Sequence, residues 1–265
     1  MDWMEVIRTR RSVRTFDGRM LEMEHLGKLA EYIDSIANPW RIPVEFVFLD
    51  TEEYKLSTPV IRGEKMYVAA KVPKVKHAEE AFGYAFEQFV LYAWSLGIGT
   101  TWIGGTMKRE DFEKAAYLQE GEVMCCISPV GYPAAKMSFR EAAMRKGVRA
   151  DHRKKASDLF FDGDWNTPLV SEDPDVAQAL EAVRLAPSAV NKQPWRILRT
   201  GDKYHFYVRH DKGYSTEVGE DMQKIDLGIA LYHFMRFVEG AVSVEDPAIP
   251  ADENMEYIAT VTITR

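Results

Sequence analysis

The chain repeats itself, and this duplication constrains its fold more than any other feature of the sequence. The four residues Pro39–Ile42 recur letter for letter at Pro194–Ile197, and each copy follows a helix-like segment and leads into a strand-like one. Two weaker similarities keep the same order along the chain, between 83–89 and 228–234 and between 122–127 and 256–261. A repeat of this length indicates a duplicated domain and not a solenoid, whose units are typically about 20–50 residues long.

Apolar periodicity predicts the same order of elements in both halves. For the first half it predicts a helix within 26–37, a strand at 44–49, a long helix from 82 to 97 and a buried strand at 123–130. For the second it predicts a helix from 174 to 186 that Asp173 caps, a strand at 204–208, a buried helix at 222–238 and a last strand at 257–263. Each half is therefore predicted to be an α+β unit. The polar stretch 162–173 is the predicted junction between a first half, 1–161, and a shorter second half, 162–265.

Composition and charge exclude several classes of function. The 265 residues carry a formal net charge of −7, which argues against a nucleic-acid or anionic-membrane partner because either would favour a basic face. The sequence has no secretory signal and no apolar run near the roughly 18 residues of a membrane helix, so we expect a cytoplasmic protein. The adjacent Cys125 and Cys126 are expected to be buried thiols, and His233 a core histidine. The histidines have no metal-ligand spacing, so we expect no metal site.

The first segment with a chemical signature is Arg10-Arg11-Ser12-Val13-Arg14-Thr15-Phe16. Guanidinium groups bind phosphate oxygens bidentately and stay charged, and a serine hydroxyl adds a hydrogen bond. The alternative is a solvated basic turn with surface ion pairs, which contribute little free energy. This alternative becomes the weaker interpretation because a complementary segment is found in the other half.

The complementary segment runs from Ala186 to Trp195, Ala-Pro-Ser-Ala-Val-Asn-Lys-Gln-Pro-Trp. Pro187 ends a helix, and Ser188 and Asn191 favour turns. The alternative is a structural helix end that leads into a buried strand. We accept that alternative for Pro194 and Trp195, because the first half keeps the same pair without the rest of the segment.

Two further segments occur only in the first half. The glycine-rich run Leu96–Gly105 is not a dinucleotide-binding fingerprint, because its sixth position is Trp102 and a helix precedes it where a strand is required. Gly97 is predicted to cap the preceding helix. Gly104 and Gly105 are interpreted as site residues, since glycine permits close backbone approach, with a tight turn as the alternative. The basic run Arg149–Lys155 could bind an anion or form a solvated loop.

These segments resemble those of the nitroreductase family of flavoproteins. In that family an RRSxRxF segment lies at the N-terminus, an APSxxNxQPW segment follows the first long helix, and a GLGTxWIG-like segment follows the central helix. The sequence matches all three, and the resemblance covers nearly the whole chain as a tandem copy. It implies a nitroreductase-like α+β fold, with antiparallel sheets flanked by helices and two tandem copies forming an intrachain pseudodimer. Family members are usually homodimers with two FMN sites at the subunit interface.

The resemblance also implies roles for individual residues. Arg10 and Ser12 are expected at the phosphate and ribityl end or the ring edge, Arg11 on the phosphate side, and Arg14 at the ring edge. Backbone amides around Ile103, Gly104 and Gly105 are expected to face the flavin ring near N5. Arg153 and Lys154 are the candidates for a further phosphate contact. The other half is expected to contribute polar groups of Pro187, Ser188, Ala189 and Asn191.

The sequence therefore predicts an FMN-dependent oxidoreductase with one FMN per chain between the halves. Hydride would pass from NAD(P)H through the flavin to a nitroaromatic, a quinone or a similar flat acceptor, and no protein side chain is required as a catalytic group. Two alternatives remain open: a flavin-binding sensor or storage protein without turnover, and a family member that has lost its cofactor and acts as an interaction protein. A monomeric pseudodimer is compatible with the sequence.

Overall fold

The computed structural model describes residues 1–211 and 220–264 and builds the chain around two sheets. The helices of the first half are α1 (Trp3–Thr9), α2 (Met23–Asp34), α3 (Ala78–Ser95), α4 (Arg109–Ala115) and α5 (Phe139–Gly147). Its strands are β1 (Glu45–Asp50), β2 (Met66–Pro73), β3 (Gly99–Thr100), β4 (Glu122–Val123) and β5 (Ile127–Gly131). These strands form an antiparallel sheet in the order β1-β2-β5-β3, with β4 paired to β2.

The second half contributes a six-stranded sheet in the order β10-β11-β9-β8-β6-β7. Its strands are β6 (Phe160–Asp162), β7 (Asp164–Pro168), β8 (Trp195–Thr200), β9 (Lys203–Arg209), β10 (Gly240–Ser243) and β11 (Met255–Ile263), and its helices are α6 (Pro174–Leu185) and α7 (Met222–Met235). Only β6 and β8 are parallel within the described ranges. The predicted division between 161 and 162 falls inside β6, whose partners belong to this second sheet.

Two long helices join the two sheets. Helix α3 packs on β2 of the first sheet, α7 packs on β8 and β9 of the second, and the two helices pack on each other. The apolar stripe of α3, including Phe82, Phe86 and Phe89, is fully buried, and so are most residues of α7. One continuous core therefore extends from each sheet through both helices. Within the described residues, no helix combines the length and the apolar character that crossing a bilayer requires.

Most predicted elements are confirmed, with two corrections at their ends. The prediction of one continuous strand at 123–130 is wrong, because the chain leaves the sheet between β4 and β5. There the carbonyl of Met124 accepts a 2.6 Å hydrogen bond from Arg109. The first-half helix ends at Asp34 and does not reach Ala37. There Asn38 closes a turn, since its side chain both donates to and accepts from the backbone of Ile42. The predicted cap is confirmed, because Asp173 accepts from the N–H groups of Asp175 and Val176.

Helix α1 connects the two halves at the place where the arginine segment begins. Its buried residues Met4, Val6 and Ile7 form a separate apolar cluster with Leu91 of α3 and with residues of the second half, Ala182 of α6 and Tyr232 of α7. The end of α1 is thereby held beside the end of α6. This packing brings the arginine segment of the first half to the polar turn of the second.

Candidate functional site

The arginine segment leaves α1 as an extended chain along the first sheet. Val13 donates its N–H to the carbonyl of Thr100 at 2.8 Å, and Phe16 donates to the carbonyl of Arg62 at 2.8 Å. Val13 is fully buried and lies against Gly99, where a Cβ would lie 2.8 Å from the Cβ of Val13. The apolar residues anchor the backbone, and the polar side chains between them are held at fixed positions.

A cavity of about 260 Å³ lies between the end of α1, the loop after α5 and the end of α6. Ser12, Asp151 and Leu185 line it together with five arginines, Arg8, Arg10, Arg11, Arg145 and Arg153. The cavity is slightly smaller than the roughly 300–1,000 Å³ of typical ligand pockets, so it suits a compact anionic group and not a whole cofactor. The structure thus brings together Arg10, Arg11 and Ser12 of the first segment and Arg153 of the basic run.

The cavity holds positive charge that the protein does not fully compensate. Burial lowers the pKa of Arg10, the charge of Glu87 opposes this shift, and the charge of Arg145 adds to it. Burial, followed by the charge of Arg10, lowers the pKa of Arg153 to about 10. The Nη1 nitrogen of Arg10 is buried and has no hydrogen-bond partner among the described residues. Because five arginines line this cavity, an anion there would be favoured.

Arg11 is held differently from Arg10. Its Nη1 forms a 3.0 Å ion pair with Oε1 of Glu141, a fully buried carboxylate on α5, and Thr15 donates to the other oxygen at 2.8 Å. Arg14 lies outside the cavity lining, and burial lowers its pKa while the charge of Glu141 opposes that shift. Arg10, Arg11 and Ser12 therefore all line the cavity, and Arg11 in addition forms an ion pair with α5.

Arg153 connects the cavity to the polar turn of the second half. Its Nε and Nη2 donate to the carbonyl of Leu185 at 3.3 and 3.1 Å, and its Nη1 donates to Oδ1 of Asn191 at 3.3 Å. The Nδ2 of Asn191 in turn donates to the carbonyls of Arg149 and His152 at 2.7 and 2.9 Å. Two residues predicted from separate segments, Arg153 and Asn191, are thus direct partners. The hydrogen bonds of Asn191 hold the loop that forms one wall of the cavity.

The turn after Pro187 is strained and internally bonded. Ala189 donates its N–H to both oxygens of the buried Asp226, at 2.9 and 3.1 Å, and Ser188 Oγ accepts from the N–H of Gln193 at 2.9 Å. Val190 and Asn191 have φ values of 49° and 58°. A β-branched residue at positive φ is an outlier, and such strain is concentrated at functional sites. The turn is therefore a rigid feature whose shape the surrounding structure imposes.

The remaining predicted residues lie beyond the cavity lining. Lys154 donates its N–H to Oε1 of Gln193 at 2.8 Å and its Nζ to the carbonyl of Gln193 at 3.3 Å, and burial lowers its pKa to about 8. Ile103 pairs with Ile127 and donates its N–H there, so this amide is already engaged in the sheet. A Cβ on Gly104 would lie 3.2 Å from Cys126 Sγ, whereas one on Gly105 would meet nothing within 4 Å.

Three other predictions are confirmed. Gly97 has a φ of 77° and ends α3 in a Schellman motif, in which Ile98 donates to the carbonyl of Ala93 and Gly97 to that of Trp94. Cys125 and Cys126 are buried free thiols, and burial raises the pKa of Cys126 to about 12. His233 is a buried histidine with partners at both ring nitrogens.

Sequence reasoning missed the residues that helix α5 contributes. Arg145 lines the cavity and pairs with Asp151, and Glu141 holds Arg11. A local signal was available, because Ser138 and Glu141 have the spacing of a capping box, and Ser138 Oγ does accept the N–H of Glu141. That pattern would have placed a helix here, although not its contact with the arginine segment.

Comparison with known proteins agrees with this fold. The protein-family model described as "Putative TM nitroreductase" matches residues 2–237. A protein of Archaeoglobus fulgidus named "Putative NADH dehydrogenase/NAD(P)H nitroreductase" is 28% identical over 170 residues, which cover 57% of this chain and 97% of that protein. The crystal structure of a putative nitroreductase from Thermotoga maritima has a TM-score of 0.64 and 20% identity, covering 99% of this chain and 94% of that one.

Proposed function

Because the chain belongs to the putative TM nitroreductase family, a family of oxidoreductases, we propose that it is an FMN-dependent oxidoreductase that uses NAD(P)H. The observation that carries this proposal is the arginine cavity, which residues of the first half line together with Leu185 of the second. Arg10 and Ser12 line a space together with four further arginines, and this positive charge suits a phosphate group. The net charge of −7 makes this local positive charge a specific feature and not a property of the whole surface.

The residues present fit the phosphate end of FMN. Arg10 and Ser12 would bind the phosphate directly, because guanidinium and hydroxyl donors match its oxygens. Arg153 would contribute charge, while its hydrogen bonds to Leu185 and Asn191 keep the cavity wall in place. The backbone around Gly105, where an added Cβ meets no atom within 4 Å, would be the candidate for a contact with the ring.

A single site per chain is proposed because the two turns that the duplication relates are different. Asn191 reaches across to the loop 149–153 of the other half. Asn38, which precedes the first copy of the repeated Pro-Trp-Arg-Ile, instead closes on the backbone of Ile42 at 2.6 and 3.2 Å. The Asn38 side chain of the first-half turn is thus bonded within its own turn. We propose that only the second-half turn contributes to a cofactor site.

When bound, FMN supplies the hydride-transfer chemistry, and the protein supplies position and charge. The arginines would favour the anionic group and the negative charge that develops on reduction. The name of the Archaeoglobus relative supports NAD(P)H as the electron donor. The acceptor is proposed to be a nitroaromatic, a quinone or another flat molecule that can replace the nucleotide at the ring.

The test is the absorption spectrum of the purified full chain, followed by anaerobic reduction. We expect a flavin spectrum with one FMN per chain, rapid bleaching on addition of NADH or NADPH, and recovery of colour when a nitroaromatic or quinone is added. Two FMN per chain would contradict the single site. A flavin that neither nucleotide bleaches would instead support the non-catalytic flavin protein, and a chain that stays colourless with added FMN would support loss of the cofactor.

A further inference from the structure

One side chain of helix α7 fastens the polar turn 187–193 of the second half to the core. Asp226 is only 3% exposed, and both of its carboxyl oxygens accept from the N–H of Ala189, at 2.9 and 3.1 Å. Within the described ranges, no other donor reaches this carboxyl group. Asp226 is thus committed to a single backbone donor, and that donor lies in the segment predicted to contact the cofactor.

The backbone of this turn needs outside support to keep its shape. Val190, Asn191 and Gln193 have φ values of 49°, 58° and 52°, in the left-handed region that residues other than glycine seldom adopt. Each such residue costs free energy, which the contacts of the surrounding structure must offset. Ala189 comes directly before the first of these residues. Its bond to Asp226 therefore fixes the point at which the chain enters the strained stretch.

The shape of the turn determines where the side chain of Asn191 lies. Its Nδ2 donates to the carbonyls of Arg149 and His152 at 2.7 and 2.9 Å, and its Oδ1 accepts from Arg153 at 3.3 Å. Arg153 in turn lines the arginine cavity. A chain of direct contacts therefore leads from Asp226 on α7 through the turn to the wall of the cavity.

The surroundings of Asp226 favour its neutral form. Among the described residues it forms no ion pair, and its one partner is an uncharged amide. Burial raises the pKa of Asp226 well above its ordinary value, the hydrogen bond from Ala189 opposes this shift, and the charge of Asp221 adds to it. A buried carboxyl group without a counter-charge stays protonated. The turn therefore needs an acceptor oxygen from Asp226 and not a charge, and a carboxamide provides the same acceptor.

We propose that Asp226 is a positioning residue of the candidate site, a hydrogen-bond acceptor that holds the turn 187–193 in the conformation that binds the ligand. It acts through Ala189 and Asn191 and is not assigned a contact with the cofactor. Because Ile225 and Leu227 on either side of it belong to the continuous core, the turn takes its position from that core. The inference deepens the proposed function and rests on it only where the ligand is taken to be FMN.

Two substitutions separate the acceptor from the volume of the side chain. Asp226→Asn keeps an oxygen that can accept from Ala189 and replaces the carboxylic hydroxyl by an amide nitrogen. Asp226→Leu keeps a similar volume but removes the acceptor. Gln223→Leu is the matched control. Gln223 is also a buried residue of α7, and its Oε1 accepts from one backbone N–H, that of Asp211 at 2.8 Å, which lies outside the turn.

The first measurement is hydrogen exchange of the Ala189 amide, followed by NMR in the full chain without ligand. We expect exchange to be at least about tenfold faster in Asp226→Leu than in the wild type, because the amide has lost its acceptor. Asp226→Asn and Gln223→Leu should leave the exchange rate of Ala189 unchanged. Slow exchange in a folded Asp226→Leu would overturn the proposal. Fast exchange in Asp226→Asn would overturn it too, even if Asp226→Leu did not fold.

The second measurement is a double-mutant cycle on FMN affinity with Asn191→Gly, which a general loss of stability would leave additive. We expect Asp226→Leu to weaken FMN binding about tenfold and Asp226→Asn to match the wild type. In the Asn191→Gly background, Asp226→Leu should cost less than about twofold, because both changes act through one turn. Gln223→Leu should have the same effect in both backgrounds. Additive losses for Asp226→Leu would overturn the positioning role. If the wild type binds no flavin, the proposed function fails, and the exchange of Ala189 still decides the role of Asp226.

Discussion

Gly83 and Gly228 occupy reciprocal positions where α3 and α7 pack on each other. A Cβ on Gly83 would lie 2.1 Å from the carbonyl oxygen of Ile225, and one on Gly228 would lie 2.0 Å from that of Glu80. Each glycine therefore faces the carbonyl of the residue three positions before the other glycine. An approximate two-fold axis between the helices would produce this reciprocity. It supports the proposal that the halves are duplicated copies that face each other as a pseudodimer.

The first prediction concerns these two glycines. Gly83→Ala or Gly228→Ala places a methyl group where the backbone carbonyl of the other helix lies, so the helices must separate. We expect each variant to lose roughly 2–3 kcal/mol of unfolding free energy or more. Gly27→Ala on α2 is the control, because its Cβ would meet nothing within 4 Å. It should gain up to about 1 kcal/mol from higher helix propensity. Denaturant unfolding measures both effects, and an undiminished stability of Gly83→Ala would refute the close crossing.

The elements that the sequence predicted well are those whose signals are local. Each of these signals lies within the sequence of a single helix and its ends. Examples are the buried stripe of α3, the Asp173 cap of α6 and the glycine that ends α3. Helix α5 was missed because it is short and mostly polar. Its place in the fold depends on the contact of Glu141 with Arg11, which lies 130 residues away in the sequence.

The same distinction applies to the site. Arg10, Ser12, Arg153 and Asn191 were predicted because their residue types resemble a known pattern, and the structure brings them to one cavity or into direct contact. The pattern does not specify which of these donors already form hydrogen bonds within the protein. The N–H of Ile103 already donates to Ile127 in the sheet, and Lys154 donates to Gln193. Tertiary contacts therefore decide which donors remain for a ligand.

The second prediction tests Arg10 as a phosphate contact in the cavity. Arg10→Met removes the charged donor, and we expect the affinity for FMN to fall about 10- to 100-fold, which corresponds to the loss of a charged hydrogen bond. Riboflavin affinity should change much less, because the phosphate is the group that Arg10 is proposed to bind. Arg19→Gln is the control, since this arginine is well exposed and pairs with Asp17. Equal losses for FMN and riboflavin would place Arg10 away from the phosphate. Flavin fluorescence titration provides both dissociation constants.

The third prediction compares the two turns that the predicted duplication relates. Asn191→Gly keeps the left-handed backbone conformation but removes the bonds to Arg153, Arg149 and His152, so the cavity wall loosens. We expect FMN to bind about tenfold more weakly, in line with the loss of a charged hydrogen bond and its neighbours. Asn38→Gly removes the asparagine of the first-half turn, which the repeat aligns with Gln193, because Ile36 stands at the position of Asn191. This variant should leave FMN affinity and the ratio of FMN to chain unchanged, and a drop in that ratio would indicate a second site at Asn38.

The fourth prediction concerns Glu80, whose carboxyl group is buried at the start of α3. Burial raises its pKa from 4.5 to about 7, and the charge of Lys224 only partly opposes this. Between these two values the folded chain holds a proton that the unfolded chain releases, so stability is present at low pH and is lost as the pH rises toward about 7. Glu80→Gln removes this dependence.

The measurement is the difference in unfolding free energy between Glu80→Gln and the wild type, from urea unfolding at steps between pH 5 and pH 8. We expect the variant to gain on the wild type as the pH rises, by up to about 3 kcal/mol over the full window, and the difference to level off above about pH 7. The wild type should lose stability in this range, because an ionised Glu80 must stay in a site with almost no exposure to water. A difference that stays constant from pH 5 to pH 8 would show that Glu80 titrates in the folded protein as it does in the unfolded chain.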